Sequence, residues 1–292
     1  MKKVPVLDIK QFHVHDGAED FYANTLENHL VTRHKDISHP HSHNFYVAVL
    51  FTHGSGIHEI DFKSYAITAG ALFFLNPGQT HHWELSPDTK GFIFLHTRPF
   101  YEMHYTHNNL GQFPFFYSLY NVPCLYLGNN ETDSITTLFK QIYTENQKHD
   151  AQQHNILLSL VNLVYSQSAR LYFSDKQVTG TDNNYYTKFR KFEDLAATYF
   201  REEKSPAYYA GLLAVSPRHL NRIAQAVTGK TATDVILDRV MLEAKKELVL
   251  QQDSFANIAE GLGYDDYAYF SRLFKNRTGE TASHFLNRYR KA

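Results

Sequence analysis

Through the first 128 residues the apolar positions come in short aromatic or β-branched bursts. NFYVAVLFT (Asn44–Thr52), GIHEIDFKSYAIT (Gly56–Thr68), ALFFLNP (Ala71–Pro77) and GFIFLHT (Gly91–Thr97) are bounded by Gly, Pro or Asn-Pro. Strands so closely spaced predict a small barrel or jelly roll. The period then changes. Ile135, Leu138, Phe139 and Ile142 keep the 3,4 spacing of one helix face and predict a helix over 132–148. A second, over 152–173, carries Ile156, Leu157, Leu160, Leu163, Val164 and Leu171 on one broad stripe. The polar, aperiodic SDKQVTGTDNN (Ser174–Asn184) reads as a linker. Beyond it the pattern is helical: Phe189, Phe192, Leu195, Ala196 and Tyr199 mark one helix, and Ile236, Val240, Ala244 and Leu248 stripe a longer one.

The helical part contains one unit written twice. SPAYYAGLLAVSPRHLNRIAQAVTGKTA (Ser205–Ala232) recurs as SFANIAEGLGYDDYAYFSRLFKNRTGETA (Ser254–Ala282), offset by 49 residues before an internal turn and 50 after it. Each copy carries its own punctuation. Ser205-Pro206 and Ser216-Pro217 are cap-plus-proline starts, Ala214-Val215 is the first turn, and Gly229 is a helix stop. In the second copy Ser254 and Asp265 are the expected caps, Gly263 the turn and Gly279 the stop. Leu212, Leu213, Leu220 and Ile223 form the expected core of the first copy, and Ile258, Leu262, Phe270 and Phe274 that of the second. A short helix, a tight turn and a longer helix, twice over, predict two helix-turn-helix units joined by the long helix.

Composition changes this picture only where it is uneven. The 292 residues are 43% hydrophobic with a net charge of −1, enough for two folded domains. Residues 185–292 hold 17 Lys+Arg against 13 Asp+Glu, a net of +4, and the remainder is −5. That sign fits phosphate contact by the C-terminal part alone. Cys124 is the single cysteine, so no disulfide framework forms within one chain. No apolar run is long enough to span a membrane, and the N-terminus has no apolar signal core, so a cytoplasmic protein is expected.

The exposed positions early in each second helix are the candidate readers of DNA: Arg218, His219, Asn221, Arg222 and Gln225, then Tyr267, Ala268, Ser271, Arg272 and Lys275. Arg, Asn and Gln make bidentate contacts to guanine and adenine edges in the major groove, and Lys and hydroxyls more often hold phosphate. Two such helices on one linker helix would enter successive major-groove segments about 34 Å apart. The chain resembles the AraC/XylS family of transcription regulators through IAEGLGYDDYAYFSRLFKNRTGETASHF (Ile258–Phe285), with Ala282 where that family usually has proline. The resemblance covers the last hundred or so residues. It points by motif position to Arg218, Asn221 and Arg222 in the first unit, and to Tyr267, Ala268, Ser271 and Arg272 in the second. With Tyr267 and Ala268 the poorer hydrogen-bonding pair, the first unit is expected to supply more base specificity.

Sixteen of the 18 histidines precede residue 185. SHPHSHNFY (Ser38–Tyr46) and NPGQTHHWE (Asn76–Glu84) look like the two histidine motifs of a cupin barrel. His39, His41 and His43 would share one strand face, with His81 or His82 across from them. Metal-binding cupins usually place a carboxylate three or four residues beyond the H-x-H, where this chain has Tyr46 and Val47. A small-molecule pocket is therefore favoured over a metal, with His41, His43, Tyr46, His82, Trp83 and Phe94 as its candidate lining. No cofactor is expected.

The expected fold is α+β: residues 1–128 a cupin-like ligand-sensing barrel, 129–174 a helical dimerisation segment favoured by the resemblance, 175–184 the linker, and 185–292 an all-α double helix-turn-helix domain. The expected function is a ligand-responsive transcription regulator, an activator rather than an enzyme. Its expected partners are double-stranded DNA, a small-molecule effector, RNA polymerase and a second copy of the chain. The rival is a metal-dependent cupin enzyme fused to a DNA-binding module, and a weaker alternative has the barrel bind a partner protein.

Overall fold

A computed structural model describes residues 6–12, 20–32, 38–103, 110–175, 183–250 and 253–290. The linker expected at 175–184 falls largely outside them. The chain divides into two compact units, one holding residues 5–177 and the other residues 178–292.

The first unit is β-rich. Its strands are β1 (Val6–Leu7), β2 (Phe21–Thr25), β3 (Ser42–His43), β4 (Tyr46–His53), β5 (Gly56–Ile60), β6 (Lys63–Ile67), β7 (Ala71–Leu75), β8 (His81–Leu85), β9 (Lys90–His96) and β10 (Cys124–Tyr126). Its helices are α1 (Leu26–Thr32), α2 (Arg98–Glu102), α3 (Pro114–Tyr117), α4 (Asn129–Glu145) and α5 (Gln153–Asp175). Among the described residues the strands form a five-stranded sheet ordered β10-β7-β4-β9-β2 and a three-stranded sheet ordered β6-β5-β8, with β1 and β3 paired in parallel. A bridge from His41 to His81 ties the β3 segment to β8.

The apolar burst at β4 is unbroken because both of its faces are covered. Val47, Val49 and Phe51 pack with Ile60, Ile67, Phe73 and Trp83 in a core shared by the two sheets. Tyr46, Ala48 and Leu50 point the other way and pack with Leu138, Phe139, Val161 and Tyr165 of α4 and α5. The single strand read over 56–68 is instead a hairpin, β5 against β6. It turns at Asp61 and Phe62, whose φ values of 47° and 66° are both left-handed, as a type I′ turn requires. The Asp61 carboxylate holds that turn by accepting from the Thr80 N–H and the Gln79 amide, each at 3.1 Å.

The second unit is all helical: α6 (Asn183–Tyr199), α7 (Pro206–Leu212), α8 (Pro217–Thr228), α9 (Ala232–Leu250), α10 (Phe255–Gly261), α11 (Tyr267–Thr278) and α12 (Ala282–Arg290). α7 with α8, and α10 with α11, are the two helix-turn-helix units, and α9 connects them. Four residues separate α7 from α8 and five separate α10 from α11, so the extra residue of the second copy sits in its turn. Leu220, Ile223, Ile258, Leu262, Phe270 and Phe274 are all buried as expected, at roughly 1.5–3 kcal/mol each. Leu212 is not, at 50% exposed. At an offset of 49 it matches Gly261, on the outer face of the short helix, and Tyr209 and Ala210 take the inner one.

Candidate nucleic-acid interface

Local sequence sets both candidate reading helices. Ser216 Oγ accepts from the His219 N–H to start α8, and Gly229 ends it at φ 71°. α11 begins at Asp266, whose carboxylate accepts from the Tyr269 N–H at 2.9 Å, and ends at Gly279 with φ 83°. The cap is therefore Asp266 and not the expected Asp265, because the inserted residue pushes the helix start one place on.

On α8, Arg218, Arg222 and Gln225 are exposed at i, i+4 and i+7, one face of the helix. On α11, Ala268, Arg272 and Lys275 occupy the matching positions and are exposed as well. Tyr267 is 50% exposed, its ring edge-to-face with Phe255 at 5.9 Å, and Ser271 is half-buried. Three candidates of the first helix-turn-helix are engaged internally. Asn221 Oδ1 accepts from the Ala232 N–H at 3.0 Å and so caps α9. Arg222 donates to His219 Nδ1 at 2.7 Å. Since a guanidinium only donates, Nδ1 carries no proton and His219 is neutral. Partial desolvation, then the charges of Arg222 and Lys188, hold its pKa below the usual histidine value.

The second helix-turn-helix is braced at its turn. Arg201 donates to the Gly261 carbonyl at 2.7 Å and to Glu247 at 2.6 Å, and Lys204 donates to the Leu262 carbonyl at 2.8 Å. These satisfy carbonyls at the end of α10 that no helical N–H reaches. A Cβ on Gly263, at φ 78°, would lie 2.0 Å from the Arg201 carbonyl oxygen. Only glycine fits that turn. None of this brace was foreseen, because residues 201–204 lie outside the repeat.

In the β-rich unit the candidate pocket residues separate onto different surfaces. His43 and Trp83 line a small cavity between the sheets with Phe12, His29, Phe45 and His81. Its volume of about 10 Å³ is barely that of one water. His41 is buried beside it, its ring 4.3 Å from that of His81. His82 does not join them. Side chains alternate along β8, so His81 and Trp83 point inward and His82 turns toward Glu59, 3.7 Å away. Tyr46 and Phe94 also lie elsewhere, on the helix-facing side of the large sheet. Tyr46 stacks on His96 at 5.3 Å and Phe94 contacts Phe139 at 5.1 Å.

Burial sets the charge state of His43 and His96. It lowers the His43 pKa to about 3 and the His96 pKa to about 4. His43 Nδ1–H donates to the Phe45 carbonyl at 2.7 Å. His96 Nδ1–H donates to the Thr97 carbonyl, which leaves Nε2 to accept from the Tyr165 hydroxyl at 2.6 Å. That second bond fastens α5 to β9. Among the described residues no group of three or more His, Cys, Asp or Glu side chains is arranged to hold a metal ion. Nor is any helix among them long and apolar enough to cross a membrane.

Known proteins match both units. The family description "AraC-like ligand binding domain" fits residues 29–94, and "Helix-turn-helix domain" fits residues 209–288. The HTH-type transcriptional activator RhaS of Enterobacter sp. (strain 638) is 23% identical over 244 residues, 80% of this chain and 82% of that protein. The activator RhaR of the same strain is 23% identical over 281 residues, 94% of this chain and 96% of that protein. Among solved structures, ToxT of Vibrio cholerae with an unsaturated fatty acid aligns over 94% of this chain and 97% of its own, at a TM-score of 0.45 and 14% identity. The relatives are transcription regulators, and the two matched domains stand in this chain in the order that the strand-rich and repeated-helix patterns predict. The chain is a DNA-binding transcription regulator and belongs to the AraC family.

Proposed function

We propose that the chain is a cytoplasmic, ligand-responsive transcription activator, with no enzymatic role, that lays α8 and α11 into successive major-groove segments of one duplex. The observation that carries this reading is the repeated exposure of an arginine, Arg222 and Arg272, at the same position of two helices with matching caps and cores. In this reading Arg218, His219, Asn221, Arg222 and Gln225 form the first contact set, and Tyr267, Ala268, Ser271, Arg272 and Lys275 the second. The activators RhaS and RhaR support the sign of control, with RNA polymerase as the implied partner.

The effector would enter between the sheets, against His41, His43, His81 and Trp83. A cavity of about 10 Å³ admits no organic molecule as it stands, so binding requires the sheets to part. An effector then acts through its preference for the parted arrangement. The α5 helix supports a homodimer. Leu157, Val161 and Val164 face the sheet, while Ile156, Ser159, Leu163, Ser166 and Arg170 form an exposed stripe at 3,4 spacing. A dimer would double the DNA site and raise its effective affinity.

A gel shift on DNA from upstream of the protein's own gene tests the reading. Arg222→Ala combined with Arg272→Ala should weaken binding about 30-fold or more, on roughly 1–3 kcal/mol per bidentate contact. Retention of full affinity by the double variant would remove the assignment of both helices.

A further inference from the structure

We infer that Tyr185, a residue of α6 outside both repeats, is a positioning residue for DNA recognition: together with His219 it holds the Arg222 guanidinium in one orientation. The inference rests on the reading of α8 as a DNA-reading helix.

Three contacts close the arrangement. Arg222 donates to His219 Nδ1 at 2.7 Å. The guanidinium carbon lies 5.8 Å from the centre of the Tyr185 ring, within the range of a cation–π contact. The Tyr185 ring meets His219 nearly edge-on, at 5.7 Å and 80°. Each of the three side chains therefore touches the other two. Tyr185 is itself well seated. One turn on, Phe189 is buried, and Phe192 packs edge-to-face on Tyr209 of α7 at 5.6 Å. α6 thus presents the tyrosine ring to α8 from a fixed base.

The second unit supplies the contrast. Arg272 matches Arg222, yet among the described residues no hydrogen bond, ion pair or ring contact engages its guanidinium. The residue matching His219 is Tyr269, which stacks on Tyr264 at 6.1 Å and leaves the arginine alone. An arginine is long and rotamer-rich. Fixing one before binding spares an ordering cost worth roughly 2- to 10-fold in affinity. It also fixes the fork direction, on which bidentate recognition of a guanine depends. With Nδ1 accepting from Arg222, the His219 proton sits on Nε2, which adds a second donor beside the guanidinium.

The test is selection of binding sites by the full chain from a randomised duplex library, comparing wild type with Tyr185→Leu, Tyr185→Phe, Arg222→Ala and Arg272→Ala. Tyr185→Leu should lose about 5-fold in base preference, at the base pairs where Arg222→Ala loses its preference and not at those affected by Arg272→Ala. Tyr185→Phe, which keeps the ring face, should keep the wild-type preference. An even loss across all positions in Tyr185→Leu, or no loss, overturns the inference. Should Tyr185→Leu fail to fold, His219→Ala must give the same positional loss, and an unchanged profile there overturns it equally. A wild-type chain that selects no duplex at all removes the regulator reading and this inference with it. Wild-type selection with Tyr185 silent removes the inference alone.

Discussion

The two helix-turn-helix units share caps, stop glycines and buried cores but differ wherever a side chain meets something outside its own copy. The first unit spends its polar groups on the reading helix: Asn221 caps α9, and His219 with Tyr185 engages Arg222. The second leaves Ser271 and Arg272 open and is held at its turn, by Arg201 and Lys204. A duplicated fold therefore keeps the residues that make it fold and changes those that position it. The first copy is elaborated at its proposed reading surface and the second at its seat.

The largest expected effect tests the seat. Gly263 and Ala214 occupy the same place in the two turns, and both are left-handed, at φ 78° and 52°. Gly263→Ala adds both the left-handed strain and a clash with the Arg201 carbonyl, so it should cost about 2–4 kcal/mol. Ala214→Gly relieves strain without a clash and should gain up to about 1 kcal/mol. Urea unfolding followed by helical circular dichroism measures both. Equal and small effects would mean that the two turns are braced alike.

Next in size is the brace itself. Arg201→Ala strips the donor from the Gly261 carbonyl and leaves Glu247, a residue only 7% exposed, without its cation. With Arg201 itself about a third exposed, a cost of about 2 kcal/mol is expected. The same unfolding measurement reads it. The proposed DNA contacts of α8 should survive, because among the described residues nothing in the first helix-turn-helix leans on Arg201. Loss of base preference at the positions read by Arg222 would break the division between a seated copy and a reading copy.

Much of this was legible in the chain and some was not, for reasons that follow from distance along the sequence. Stop glycines, serine caps and the buried stripes of α8 and α11 depend on neighbours within a turn or two, and the repeat displays them twice; the extra turn residue, present in the second copy alone, moves that copy's cap from the expected Asp265 to Asp266. Parity is equally local and sets Tyr46, three residues beyond His43, on the opposite face, whereas Phe94 lies on another strand, β9, where parity gives no relation to His43. His43 faces the small sheet, whereas Tyr46 and Phe94 face α4 and α5 across the large one. The hairpin at Asp61-Phe62 lacks the glycine that announces such turns, since its stabilising partners lie in the loop at Gln79 and Thr80. Arg201 with Glu247, Asn221 with Ala232 and Tyr185 with Arg222 are contacts between elements. No spacing rule finds them, and they are where the two copies diverge.

The smallest effect sharpens the comparison at a single hydrogen bond. Asn221 and Ser271 are equivalent, and both are candidate base readers, but only Asn221 is committed to the protein, through the Ala232 N–H. Asn221→Ala should therefore cost about 1 kcal/mol of stability, the ordinary value of a lost helix cap, in the absence of DNA. Ser271→Ala should cost nearly nothing, since it removes no bond that the free protein makes. In binding the order can reverse. A side chain already holding a backbone N–H is fixed in place, with its amide protons and one remaining lone pair for a base, whereas the Ser271 hydroxyl keeps its full donor and acceptor capacity and is free to turn. Unfolding curves and titrations of the two variants against one duplex separate these roles. A Ser271→Ala variant as unstable as Asn221→Ala would mean that both copies use this position for folding, and that only the arginines distinguish reader from seat.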